Sequence, residues 1–275
     1  MSLSVTGWLA FADGLGLLIA MHRALPILAA ILLTAPAVAA TSPLDDPQLQ
    51  GRDRYERCIT LAHQAPQSAF DAAVQWQNQG GQAAAIHCSA VALVAMRRYA
   101  EAASRLDRLA HDRSVSSGFP RGDLLDQAGN AWLLANQPAN AVASFTTALI
   151  LAPDDPDILA DRARARAANH DWHGAESDLN NAIARDARPE FFVLRASARH
   201  AMGNRTGARA DLERALQLSP GDPEALVERG AMKAESGNAK GALADWNATV
   251  AAAPSSDAAQ TARQYLQNAT SAAKR

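Results

Sequence analysis

The residues of this chain that could do chemistry are its histidines, cysteines and acids, and their spacing decides how far that chemistry goes. His170 and His173, in the stretch NHDWHG, are the nearest approach to a metal-binding pair. A zinc site needs a third and usually a fourth ligand, and none stands in register with them, so a solvated turn explains the pair. Asp154, Asp155 and Asp157 flank Pro156 without the alternating oxygen ligands and glycine of a calcium loop. Acids at that place suit a helix start, where they cap free amides and oppose the helix dipole. Cys58 and Cys88 are the only cysteines and lie 30 residues apart. With no Cys-x-x-Cys, dithiol redox catalysis is not indicated; the pair fits a single disulfide of an oxidising compartment, with two buried thiols as the alternative. No glycine-rich phosphate loop, nucleophile-elbow serine or paired-histidine zinc motif occurs, which points to a protein that is not an enzyme and holds no cofactor or metal.

A second set of charged residues is spaced regularly. Arg162, Arg195 and Arg229 are each followed sixteen residues later by an acid, Asp178, Asp211 and Asp245. In the preceding unit Ala128 and Ser144 occupy the two places, so both partners are missing together, and the unit before has Ser89 and Arg105. The expectation is a set of structural salt bridges, each arginine tied to the next antiparallel helix by a carboxylate bond.

The elements that carry these residues repeat. Leu125, Leu159, Phe192 and Leu226 recur at intervals of 34, 33 and 34, and Gly129, Ala163, Ala196 and Gly230 follow with the same intervals. Ala141, Ala175, Ala208 and Ala242 do likewise, then Phe145, Leu179, Leu212 and Trp246. Each unit reads as two helices joined by a short turn, with small residues where the helices cross and Pro153, Pro220 and Pro254 ending three of the units. This pattern resembles the tetratricopeptide repeat (TPR) family, strongly over residues 122–256. The resemblance implies an all-α fold, a right-handed α-solenoid of TPR helix-turn-helix repeats.

Around the four regular repeats (122–256), residues 52–113 read as degenerate TPR-like helix pairs and 114–121 as a loop rich in Ser, Gly and Pro. Residues 257–275 form a capping helix and tail, with Ala258, Ala262, Tyr265, Leu266 and Ala269 on one face. At the other end, residues 24–40 are uncharged, follow Met21-His22-Arg23 and include Ala37-Val38-Ala39. That is the pattern of a cleaved signal peptide over 1–39, followed by a linker over 40–51, and it implies an exported, periplasmic chain without a stable membrane span. Residues 1–20 fit such a leader poorly; the expectation is a start at Met21, with an unusually long leader as the alternative.

Lys and Arg number 26 against 28 Asp and Glu, a net charge of -2, which argues against a phosphate-binding surface and hence against nucleic acid as partner. The resemblance implies instead a protein or peptide partner on the concave face built by the first helices. Asp126, Asn130, Leu133, Ala160, Arg164, Val193, Ser197, His200, Val227 and Ala231 are the candidate lining. Asp126 stands where the carboxylate clamp of some family members needs a lysine, so a chaperone-tail function is not implied. The resulting expectation is a non-enzymatic interaction scaffold of the bacterial-type cell envelope. The alternative is a structural, self-associating assembly component.

Overall fold

The computed structural model describes Leu44 and residues 51–112 and 119–273. The leader expected over 1–39, most of the 40–51 linker, residues 113–118 and the last two residues lie outside them. The described residues form thirteen α-helices and no strand: α1 (Gly51–Gln64), α2 (Pro66–Trp76), α3 (Gln82–Ala95), α4 (Tyr99–His111), α5 (Arg121–Leu134), α6 (Pro138–Leu151), α7 (Pro156–Ala168), α8 (Trp172–Arg185), α9 (Pro189–Ala201), α10 (Arg205–Leu218), α11 (Pro223–Glu235), α12 (Ala239–Ala252) and α13 (Asp257–Ala273).

Five of the helices start on a side-chain cap. Asp155 and Asp222 accept backbone N–H bonds at the starts of α7 and α11, from Ile158 and Ala225 among others. Asp171, Asn204 and Asn238 cap α8, α10 and α12 by accepting from the amides of Gly174, Gly207 and Gly241. From α3–α4 onward the turn inside each hairpin passes through one left-handed residue: Arg97, Asn136, His170, Gly203 and Gly237, with φ of 59, 56, 62, 78 and 81°. The amide after each reaches back five residues, as from Gln137 to Trp132 O (2.9 Å) and from Asn238 to Lys233 O (2.9 Å). His170 is thus a turn residue with its ring edge-on to Trp172.

Where the two helices of a hairpin cross, a small and a large residue sixteen apart are matched in size. An added Cβ on Gly129 would lie 2.6 Å from the Phe145 ring, and one on Gly230 would lie 2.4 Å from Trp246 Nε1. The equivalent pairs in the two middle repeats are Ala163 with Leu179 and Ala196 with Leu212, all buried. Glycine therefore faces an aromatic ring and alanine faces leucine, and the helix separation is kept either way.

Successive hairpins stack through continuous apolar clusters. Consecutive first helices touch each other, α5 with α7, α7 with α9 and α9 with α11, whereas among the described residues consecutive second helices meet no more than marginally. The array consequently curves with its first helices on the inside. Both ends of the described array are closed. α13 buries Ala258, Ala259 and Ala262 and stacks Tyr265 on Trp246 at 5.0 Å. At the N-terminal end Leu44 is fully buried among Cys58, Trp76, Ala85 and Cys88. Cys58 and Cys88 are disulfide-bonded, with Cα atoms 6.1 Å apart, and join α1 to α3.

Candidate functional site: the inner face of the solenoid

The inner face is made by α3, α5, α7, α9 and α11, and its polar residues bond sideways from one helix to the next. His87 on α3 lies between Tyr55 and Gln127, with Tyr55 Oη 3.0 Å from its Nδ1 and Gln127 Oε1 2.9 Å from its Nε2. Burial lowers its pKa and so favours the neutral ring, against the opposing effect of the Gln127 bond. The tautomer that serves both neighbours accepts from Tyr55 and donates to Gln127. Phe119, just before α5, stacks on the same ring at 4.8 Å.

This contact closes the α3–α5 seam at one level only. One and two turns further along, Val91 and Val94 face Ala131 and Leu134 across a gap, with Leu106 of α4 at the bottom and Gln127 and Asn130 at the side. The result is an apolar notch of about 230 Å³. Leu134 at the rim is 58% exposed.

Asn130 also belongs to a second feature. Its amide donates to Asp161 Oδ2 at 3.1 Å and, at 3.4 Å, to Asp126 Oδ2. Asp161 is further paired with Arg164. Asp126 Oδ1 is buried without a hydrogen-bond partner among the described residues. Burial, followed by the charges of Asp161, Asp155, Asp123 and Asp157, raises the Asp126 pKa to about 7. Further along, His200 Nε2 lies 2.9 Å from Glu235 Oε2, and burial raises the pKa of neighbouring Glu228.

The other residues expected to line this face are placed unequally. Ser197 is exposed and Ala231 half-buried, but Leu133 packs against the core. Ala160, Val193 and Val227 are buried instead, in the core clusters or between adjacent helices. These three residues are therefore not part of the exposed inner face.

The arginine row lies away from the inner face, inside the hairpins. Nε and Nη2 of Arg162, Arg195 and Arg229 grip Asp178, Asp211 and Asp245 in two-pronged contacts of 2.6–3.0 Å. One turn on, a second cation reaches each carboxylate: Arg166 at 2.7 Å, Arg199 at 2.8 Å and Lys233 at 2.7 Å. In the first regular repeat the same place is filled differently. Asp107 of α4 accepts from Ser144 Oγ (2.9 Å) and Trp132 Nε1 (2.6 Å). Arg105 lies 3.4 Å from Ser89 Oγ and over the Phe70 ring. Arg162, Arg195 and Arg229 are thus each held by a carboxylate of their own hairpin, the expected structural pairing.

Among the described residues, no three His, Cys, Asp or Glu side chains are grouped to hold a metal ion, and no helix is long and apolar enough to cross a membrane. The geometry defines a helical-hairpin solenoid with a grooved inner face, the fold of TPR proteins. Three solved structures share it. TTC0263, a thermophilic TPR protein of Thermus thermophilus, is 20% identical over 65% of this chain and 95% of its own, with a TM-score of 0.53. YrrB, described as a TPR protein with an unusual peptide-binding site, is 18% identical over 64% and 90%, at 0.53. MamA (41-end) from Desulfovibrio magneticus RS-1 is 14% identical over 62% and 94%, also at 0.53. No family model and no curated protein matches the chain.

Proposed function

We propose that this protein is a non-enzymatic scaffold that binds a peptide or protein segment on its inner face. The observation that carries the reading is the unfilled notch between α3 and α5, bordered by Leu134 and opening beside Asp126 and Asp161. At about 230 Å³ the notch is below the usual range for a small-molecule site and suits a single side chain of a larger partner. The peptide-binding site ascribed to YrrB is a use of the same fold. The setting belongs to the proposal too: the chain works in the cell envelope after export. The uncharged run over 24–40 and the bonded Cys58–Cys88 pair, a bond that persists in oxidising compartments, support it.

The test is cross-linking and affinity capture from envelope extracts with the full chain and with Asn130→Ala plus Arg164→Ala. A partner cross-linked to α5 or α7 and lost in the double variant is the expected result. Capture that the double variant retains, with cross-links only on the second helices, overturns the inner-face assignment. Ile150 and Leu151, 73% and 55% exposed at the end of α6, favour a second reading in which the chain associates with itself. A strict monomer in light scattering across a hundredfold concentration range removes that reading.

A further inference from the structure

Resting on the inner-face reading, we infer that the α3–α5 notch and the acidic pair beside it form one composite site for a segment carrying a bulky apolar side chain and a Lys or Arg one to three residues away. The two halves of the site are physically joined by Asn130, which lines the notch and donates to both Asp161 and Asp126. Along α5 the order is Asp126, Gln127, Asn130, Ala131, Leu134. Asp126 and Leu134 are eight residues, about 12 Å, apart on one helix face. An extended chain advances about 3.3 Å per residue, so an apolar side chain between Val91 and Leu134 brings a nearby cationic side chain to the acids.

The notch recognises shape and hydrophobicity. Val91, Val94, Leu106, Ala131 and Leu134 offer apolar surface, and no ionised group lines it. The acids determine sign. Asp126 is faced by Asp123 of its own helix and by Asp155, Asp157 and Asp161 of α7 and its start. Arg164 pairs with Asp161 and Arg188 with Asp157, which leaves Asp126 and Asp123 without an ion-pair partner among the described residues. An incoming cation relieves this repulsion, whereas an acidic segment or a terminal carboxylate increases it. The site is thus opposite in sign to a carboxylate clamp.

The experiment uses the full chain against an array of synthetic twelve-residue peptides. Leu or Phe and Lys or Arg are permuted in position, with acidic and purely polar series alongside, and representative peptides are then titrated by fluorescence anisotropy. The expected selection is an apolar residue with a basic one within three positions, bound more weakly as salt rises. Leu134→Ser should weaken binding about tenfold, the equivalent of one buried aliphatic contact. Asp126→Asn should weaken it by about two- to fivefold, as for a partly exposed ion pair. Leu218→Ser, at a residue 40% exposed on α10, should leave affinity unchanged. Selection of other sequences, or equal binding by the Leu134 and Asp126 variants, overturns the composite site while leaving the scaffold reading in place. Binding of no peptide at all also overturns it, and the envelope capture experiment then decides the scaffold reading independently. Dimerisation abolished by Leu134→Ser would assign the notch to a second copy and overturn the inference as well.

Discussion

Replacing Gly129 by alanine tests how the hairpins are held at their spacing, because the two main effects have opposite signs. In the interior of a helix, alanine in place of glycine stabilises by about 1 kcal/mol. At Gly129, however, the new Cβ would sit 2.6 Å from Cε1 and Cζ of Phe145 and 2.8 Å from Cδ1. Carbon atoms pack favourably at about 3.5–4.0 Å, so the overlap approaches 1 Å. The Phe145 ring is fully buried and has no open side to move into. Overpacking of this kind costs about 1–3 kcal/mol, and the net expectation is a loss of up to about 2 kcal/mol. Phe145→Leu alone leaves a cavity and costs roughly 1–2 kcal/mol. Combined, the two substitutions rebuild the alanine–leucine pair already present at Ala163 with Leu179 and at Ala196 with Leu212. The double variant should therefore be more stable than the sum of the single effects by about 1 kcal/mol or more. Gly122→Ala is the control, since nothing lies within 4 Å of its added Cβ, and it should not destabilise. Urea unfolding followed by circular dichroism reads the totals. Hydrogen exchange on α5 and α6 localises them, since a repeat array need not unfold in one step. A Gly129→Ala protein at least as stable as the parent, or strictly additive effects, would refute the size-matching argument.

Asp211→Asn should cost about 3 kcal/mol, at the low end for breaking a buried ion pair. Arg195 keeps Asn180 and Arg199 keeps Glu176 when the carboxylate is lost; a change under about 1 kcal/mol in urea midpoint analysis would contradict the structural role. Asp126→Asn should stabilise at pH 8, because the folded-state pKa near 7 lies above the unfolded value and the native carboxylate is disfavoured once ionised. The gain should shrink as pH falls through about 7 towards 4 in melting temperatures taken across that range. For Asp245, burial raises the pKa but the bonds from Arg229 and Lys233 outweigh it, so the value is lowered. Its contribution is present above the unfolded pKa of about 4 and is lost on further acidification, and Asp245→Asn should flatten the acid limb of the stability curve. Removing both cysteines, Cys58→Ala with Cys88→Ala, should cost about 3.6 kcal/mol by the loop-entropy relation for a closure of about 30 residues, measurable by denaturant titration.

The repeats were legible because each hairpin reuses the same contacts at the same spacing, so leucine, alanine and proline recur with the period of the fold. The arginine–aspartate separation of sixteen was equally visible, both partners being within one hairpin. The second cation on each carboxylate went unread, although Arg166, Arg199 and Lys233 follow their arginines by four residues, one helical turn. Asp107 was invisible for another reason: it reaches forward to Trp132 and Ser144 of the next unit, outside any hairpin pattern. The notch has no sequence signature of its own, since its lining comes from three helices, α3, α4 and α5, that are brought together only by the fold. Position on the first helix did not separate inner surface from wall either. Val193 and Val227 occupy the expected register and are buried in the apolar clusters between helices.

The bond between Cys58 and Cys88 makes the two ends of the described array unequal. A stack of nearest-neighbour interfaces loses structure by fraying from its ends. At the N-terminal end α1 cannot depart from α3, so opening there must carry α2 and the connecting segment with it. At the other end α13 is held by noncovalent packing alone, through its buried alanines and the Tyr265–Trp246 stack. Unzipping therefore has a preferred direction, from α13 inward, and a protease should shorten the chain from its C-terminal side while α3 and α5 still stand beside each other.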